Sequence, residues 1–215
     1  MFTCQAVLFD MDGTLVDSTA VVEEVWGEFA ARYGLDIDEI LRTSHGVPAG
    51  DTVRRFAPPG ADVVSLTQEL GRMERSRTNG IIQIPGAREL IGGLPAEAYA
   101  MVTSADRILA EARMSAAGLT MPSTVITSDD VLRGKPDPEG YLRAAALLGA
   151  EPADTVVFED APAGIAAARA AGMRTVVVGH ADVELEEGMW RIPDLSAVRV
   201  LFTAAADADT LSFHW

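Results

Sequence analysis

The stretch Ala6-Val7-Leu8-Phe9-Asp10-Met11-Asp12-Gly13-Thr14-Leu15 constrains the fold more than any other part of this chain. Four consecutive apolar residues closed by turn chemistry fit a strand buried on both faces of a parallel sheet. The run ends on two aspartates one residue apart, and a glycine follows. Open parallel sheets bind ligands beyond the carboxyl ends of their strands, which is where Asp10 and Asp12 fall. Taken alone, the same residues also fit an Asx turn that merely ends a strand. The rest of the chain decides between the two.

Residues 19–33 read as a helix, with Val22, Val25, Trp26, Phe29 and Tyr33 on one face. Asp17-Ser18 offers it an N-cap and Gly34 ends it. Further helices are expected over 36–43, 50–57 and 62–78, so 16–80 is a helical block without a strand. From Pro85-Gly86 onward helix and strand alternate. Helices are expected at 87–92, 106–117, 138–148 and 163–171, and strands at 99–103, 123–127, 155–158 and 175–178. That alternation implies right-handed βαβ units around a parallel sheet. Because 6–9 belongs in the same sheet, the helical block is an insertion. The expected fold is α/β: a doubly wound parallel core from 1–15 and 86–215, with an α-helical cap over 16–85. Hinges are expected near 15–17 and 80–86. In the tail, 198–203 and 211–213 fit a hairpin across 204–210.

The formal net charge of -15 and pI near 4.5 argue against nucleic acid or an anionic membrane as a main partner. A small anionic substrate stays open, because a metal ion and a few local cations can invert the field in a cleft. The single cysteine, Cys4, excludes an internal disulfide and reads as a buried structural residue. No apolar run approaches the roughly 20 residues that cross a bilayer. The N-terminus carries no secretory pattern, so the expected setting is the cytoplasm, with a monomer or a dimer as the unit. Of the 17 basic residues only Lys135 is a lysine.

The strand ends collect the polar residues. The first strand delivers Asp10 and Asp12, the second Thr103-Ser104, the loop after the third Gly134-Lys135-Pro136, and the fourth Glu159-Asp160. In a parallel sheet these converge on one crevice. Carboxylates so close repel one another unless a cation or proton intervenes, and Lys135 supplies one charge. Hard oxygen ligands without His or Cys suit Mg²⁺. The set has the parts for phosphoryl transfer. One carboxylate, assigned as Asp10 because it lies closest to the strand, can attack phosphorus. The other, Asp12, can protonate the leaving alkoxide and then deprotonate water.

With those residues in hand, the chain resembles the haloacid dehalogenase superfamily. Asp10-Met-Asp-Gly-Thr-Leu-Val-Asp-Ser, a strand ending Val-Thr-Ser, Gly-Lys-Pro-Asp-Pro and Val-Phe-Glu-Asp-Ala-Pro-Ala-Gly-Ile are similar to its four motifs, in order. The helical insertion stands where that superfamily's first cap type is found. The resemblance implies Asp10 as nucleophile and Asp12 as acid/base, with Thr103, Ser104 and Lys135 holding the phosphoryl group. It implies Mg²⁺ on Asp10, Asp160 and the backbone carbonyl of Asp12, with Glu159 as a ligand or water-holder.

Departures from sister branches narrow the expected activity. Dehalogenases of the superfamily lack the second motif aspartate, which Asp12 supplies here. Phosphonatases use a cap lysine, and 16–85 contains none. β-Phosphoglucomutases carry a His shortly after the first motif, where this chain has Thr19-Ala20-Val21-Val22. They also carry an Arg after a cap glycine, where it has Gly46-Val47-Pro48-Ala49-Gly50. Ser44-His45-Gly46, Phe56-Ala57-Pro58 and Ile84-Pro85-Gly86-Ala87 resemble the sugar- and polyol-phosphate phosphatases of that branch, such as those acting on glycerol-3-phosphate and 2-deoxyglucose-6-phosphate. The resemblance therefore implies a phosphatase for a small phosphorylated metabolite. A phosphosugar mutase, or a ligand-binding regulator with little turnover, remains an alternative. His45 is the cap candidate for contact with substrate hydroxyls; Glu74 and Arg107 are weaker ones that read more readily as solvated helix residues.

Overall fold

The computed structural model describes residues 2–203 and 210–214. The chain opens with β1 (Phe2–Cys4), β2 (Ala6–Phe9) and β3 (Val16–Asp17). Four helices follow, α1 (Thr19–Tyr33), α2 (Ile37–Ser44), α3 (Ala49–Phe56) and α4 (Val63–Ser76). Then come β4 (Ile82–Gln83), α5 (Ala87–Gly92), β5 (Tyr99–Val102), α6 (Arg107–Ala116) and β6 (Thr124–Ile126). The remainder is α7 (Glu139–Leu147), β7 (Thr155–Glu159), α8 (Pro162–Ala170), β8 (Arg174–Val178), β9 (Met189–Ile192), β10 (Arg199–Thr203) and β11 (Thr210–His214).

The main sheet has six parallel strands in the order β6-β5-β2-β7-β8-β9. The apolar run of β2 lies at its centre because every one of its side chains is buried. Side chains alternate between faces with period two. Leu8 joins Val102, Val157, Tyr141 of α7 and Ala167 of α8 on one side. Val7 and Phe9 join Leu90 of α5, Met114 of α6 and Phe213 of β11 on the other. In register, Phe9 stands opposite Met101 and Phe158. Asp10, Val102-Thr103 and Glu159 therefore leave the sheet at the same edge.

Helices α1–α4 lie between β3 and β4, as an insertion after β2. Asp36 and Asp62 cap α2 and α4 by accepting backbone N–H groups at 3.1 Å and 3.1–3.2 Å. Their apolar stripe (Val25, Trp26, Phe29, Ile40, Val53 and Leu70) is buried and runs into the core through Met11, Leu15 and Ile81. The two crossings between core and cap are not bare hinges. Val16–Asp17 pairs antiparallel with Ile82–Gln83, forming a two-stranded ribbon too short to show a period in sequence.

Two further strands, β9 and β1, depart from the sequence expectation. β9 adds a sixth strand beside β8, although Met189-Trp190-Arg191-Ile192 has no apolar alternation. β1 pairs with β11, whose other edge takes β10, giving a separate three-stranded antiparallel sheet. The expected hairpin of 198–203 with 211–213 is thus present as β10 and β11; its connection, 204–209, lies outside the described residues. Cys4 is buried at the edge of this sheet, and burial pushes its thiol up to about 12. Among the described residues no helix is long and apolar enough to cross a membrane.

Candidate active site

Asp10 is the first residue beyond β2 and is 4% exposed. Its backbone N–H donates to the Phe158 carbonyl at 3.0 Å, which continues the sheet ladder and fixes where its carboxylate emerges. Lys135 Nζ donates to Asp10 Oδ1, and to Glu159 Oε1 at 2.8 Å. Glu159 is fully buried. It also accepts from the Tyr141 hydroxyl at 3.2 Å and, through Oε2, from the Ala161 N–H at 2.7 Å. Gly164 in the first turns of α8 makes room for it, since a Cβ there would lie 1.5 Å from Glu159 Oε1. Breaking such a buried pair from one side costs about 3–5 kcal/mol, because the partner stays charged and unpaired.

Burial is the main force on these acids. It pushes Asp10 from its ordinary 3.8 up to about 7; Glu159 and Asp12 push the same way, and Lys135 pulls down. Burial, then Glu159 and Asp10, raises Asp160 well above the usual carboxylate range. Burial alone would lower Lys135, but Asp10 and Glu159 hold it well above its usual value, so it stays an ammonium. One ammonium against Asp10, Glu159 and Asp160 leaves the cluster short of positive charge.

The residues present fit a divalent cation. Asp10, Glu159 and Asp160 each offer a carboxylate oxygen, and the three lie within 4.8 Å of one another. All are hard oxygen donors, the preference of Mg²⁺. Asp160 accepts from Thr14 Oγ1 at 3.3 Å, whereas both oxygens of Glu159 are already engaged by Lys135, Tyr141 and Ala161.

Asp12 has different surroundings. Its side chain is 27% exposed. Ser18 Oγ donates to Oδ1 at 2.6 Å, and Arg113 Nη1 donates to Oδ2 at 2.7 Å. Neither partner is expected from the sequence. Ser18 begins α1, yet its side chain makes no cap bond and turns to Asp12 instead. Arg113 sits in the amphipathic pattern of α6, where an arginine reads as solvated; it is 5% exposed. Its Nη2 reaches Glu74 Oε1 of α4 at 3.1 Å. Glu74, also 6% exposed, is therefore not a solvated helix residue.

The cap sits closed on this site. Ser104 Oγ donates to the Gly46 carbonyl at 2.8 Å, and Arg75 of α4 donates to Asp106 at 2.5 Å. Gly46, at φ +75°, approaches α8 so closely that a Cβ would lie 2.7 Å from the Ala161 Cβ. Thr103 is buried, and its Oγ1 accepts from the Ala105 N–H at 3.1 Å. The hydroxyl of Ser104 is thus spent on the cap backbone. His45 is exposed and reaches the rim of a cavity of about 90 Å³ that Asp12 also lines. Arg107 is elsewhere: it pairs with Asp130 at 3.2 Å and does not line the cavity. The arrangement offers a buried carboxylate held by an ammonium, a second carboxylate facing a cavity between cap and core, and a place for a cation.

Residues 4–172 match the haloacid dehalogenase-like hydrolase family. The chain is 41% identical over 182 residues to hexitol phosphatase A of Escherichia coli, covering 81% of this chain and 83% of that one. It is 36% identical to 2-deoxyglucose-6-phosphate phosphatase 1 of Saccharomyces cerevisiae, covering 81% and 80%. A crystal structure of a hydrolase from Pseudomonas syringae superposes with a TM-score of 0.78 at 26% identity, over 89% of this chain and 94% of that one.

Proposed function

The chain belongs to the haloacid dehalogenase-like hydrolases, and on that premise we propose a Mg²⁺-dependent phosphatase that hydrolyses a small sugar or polyol phosphate through an aspartyl-phosphate on Asp10. One observation carries the reading: Asp10 lies buried against Lys135, while Asp12, two residues on, faces a cavity lined by both cap and core. The phosphatase names of its relatives support the reaction class. Asp10, Asp160 and the backbone carbonyl of Asp12 would hold Mg²⁺, which when bound offsets the charge of the carboxylates and the phosphoryl oxygens.

Lys135 orients the Asp10 carboxylate toward phosphorus. Asp10 attacks, a bond forms between its oxygen and phosphorus, and the bond to the leaving oxygen breaks. Asp12 delivers a proton to that oxygen, so the product leaves as an alcohol. Water then attacks the phosphorus, Asp12 takes its proton, the bond to Asp10 breaks and phosphate departs. Lys135 and Thr103 hold the phosphoryl oxygens meanwhile, joined by Ser104 when its hydroxyl gives up the Gly46 carbonyl. The closed cap excludes water from the first step, and opening on the β3–β4 ribbon admits substrate. We place the enzyme in the cytoplasm, acting on a free metabolite as a monomer or dimer.

The test is one assay that follows both free phosphate and isomers, with Mg²⁺ and a panel of phosphorylated sugars, polyols and nucleotides. Release of phosphate from a sugar or polyol phosphate is expected. Interconversion of sugar phosphates with little free phosphate would make the protein a mutase, and binding without turnover would make it a regulator.

A further inference from the structure

Among the described residues a few buried side-chain atoms lack a hydrogen-bond partner, and two of them belong to residues that line the cavity between cap and core. These two are Ser44 Oγ, at the end of α2, and Arg113 Nε, on α6. Ser44 is 9% exposed and Arg113 5%. A buried hydroxyl or N–H left unsatisfied is destabilising, so where two such groups lie beside one cavity a ligand there can complete the bonding. The Nε group can only donate, and the Ser44 hydroxyl can do either. A ligand hydroxyl answers both. The cavity walls also carry Asp12 and Glu74 against the single guanidinium of Arg113. A leaving group that brings a carboxylate or a second phosphate finds no second Lys or Arg on this wall, and the one guanidinium is already engaged by Asp12 and Glu74. Room for a longer chain exists next door, in a cleft of about 210 Å³ that also meets Glu74 and Ser104.

We propose that Ser44 and Arg113 read hydroxyl oxygens of the leaving group, while Glu74, by engaging the guanidinium of Arg113, leaves no free cation for anionic ones. The site then selects the phosphate monoester of a neutral polyol over that of a hydroxy acid. This inference rests on the phosphatase reading above. Ser44 and Arg113 are specificity residues; Ser44 falls in the Ser44-His45-Gly46 stretch noted in the sequence, and Arg113 has no such signal.

Three probes test it: glycerol phosphate, phosphoglycerate and phenyl phosphate, each measured as kcat/KM with Mg²⁺. The wild type is expected to prefer glycerol phosphate over phosphoglycerate by tenfold or more, on the order of the discrimination a misplaced charge gives. Ser44→Ala is expected to lower kcat/KM for glycerol phosphate relative to phenyl phosphate by about fivefold, the loss of one hydrogen bond. Its Tm should be unchanged or higher, because the variant removes an unpaired buried hydroxyl. Glu74→Gln should narrow the gap between glycerol phosphate and phosphoglycerate. An unchanged glycerol-to-phenyl ratio in Ser44→Ala, or a wild type indifferent to the carboxylate, overturns the proposal while leaving the phosphatase intact. A wild type that hydrolyses none of the three overturns both.

Discussion

Asp10 and Asp12 are chemically identical and two residues apart, yet their surroundings separate them. Asp10 is sealed between Lys135, Glu159 and Asp160; Asp12 is partly exposed and held by Ser18 and Arg113. A nucleophile must be ionised, and burial raises Asp10 to about 7, so that role needs the Lys135 ammonium and a bound cation to offset the burial. If Asp12 supplies the proton, Asp12→Asn should slow turnover of an alkyl phosphate by about a hundredfold or more. An aryl phosphate, whose leaving group needs little protonation, should suffer much less. Equal losses on both would remove Asp12 from the acid role. Of these residues, Asp10, Asp12, Lys135, Glu159 and Asp160 were legible in the sequence because each falls at or just after a strand end. Ser18 and Arg113 were not. A serine at a helix start and an arginine in an amphipathic helix have ordinary local explanations, and only tertiary packing brings them to Asp12.

Among the elements, the segment joining α2 to α3 has the most direct influence on the site. Gly46 gives its carbonyl to Ser104 and lies against α8 with no space for a side chain. Its backbone is in the left-handed region, where a non-glycine residue costs about 1–2 kcal/mol. Gly46→Ala should therefore hold the cap off the core and lower kcat/KM severalfold, with a smaller effect on Tm, as activity assays and thermal melts on the same preparation would reveal. A variant with wild-type kcat/KM would mean that this contact is not part of the closed, working state. The first helix of the cap was legible from its apolar stripe and the closing Gly34, whereas Ser18, read as its N-cap, makes no cap bond. The β3–β4 ribbon and β1 were not, since two or three residues carry no period and their partners lie far along the chain.

For the whole molecule, the acid cluster links stability to pH. An acid whose pKa is higher in the folded than in the unfolded chain binds more protons when folded, so stability is greatest at low pH and falls as the pH rises. For Asp10 that window runs from its ordinary 3.8 to about 7, and Asp160 shifts in the same direction. A cation bound by the ionised cluster opposes the loss. Mg²⁺ should therefore raise Tm by several degrees near about pH 8 and by much less near about pH 5, for a chain in which about 1 kcal/mol shifts Tm by ~2–4 °C. Equal shifts at both pH values would show that Mg²⁺ does not bind through these acids. The parallel core was legible at this scale because its central strands are unbroken apolar runs; the sixth strand and the second sheet depend on long-range pairing. The central claim is that Asp10 itself bonds to phosphorus. Mass spectrometry of the Asp10 peptide, from protein acid-quenched during turnover of a polyol phosphate with Mg²⁺, tests it most directly. The account predicts a phosphoryl group on Asp10, and neither that group nor phosphate release in Asp10→Asn. Turnover by Asp10→Asn at the wild-type rate, or a phosphoryl group on another residue, would contradict it.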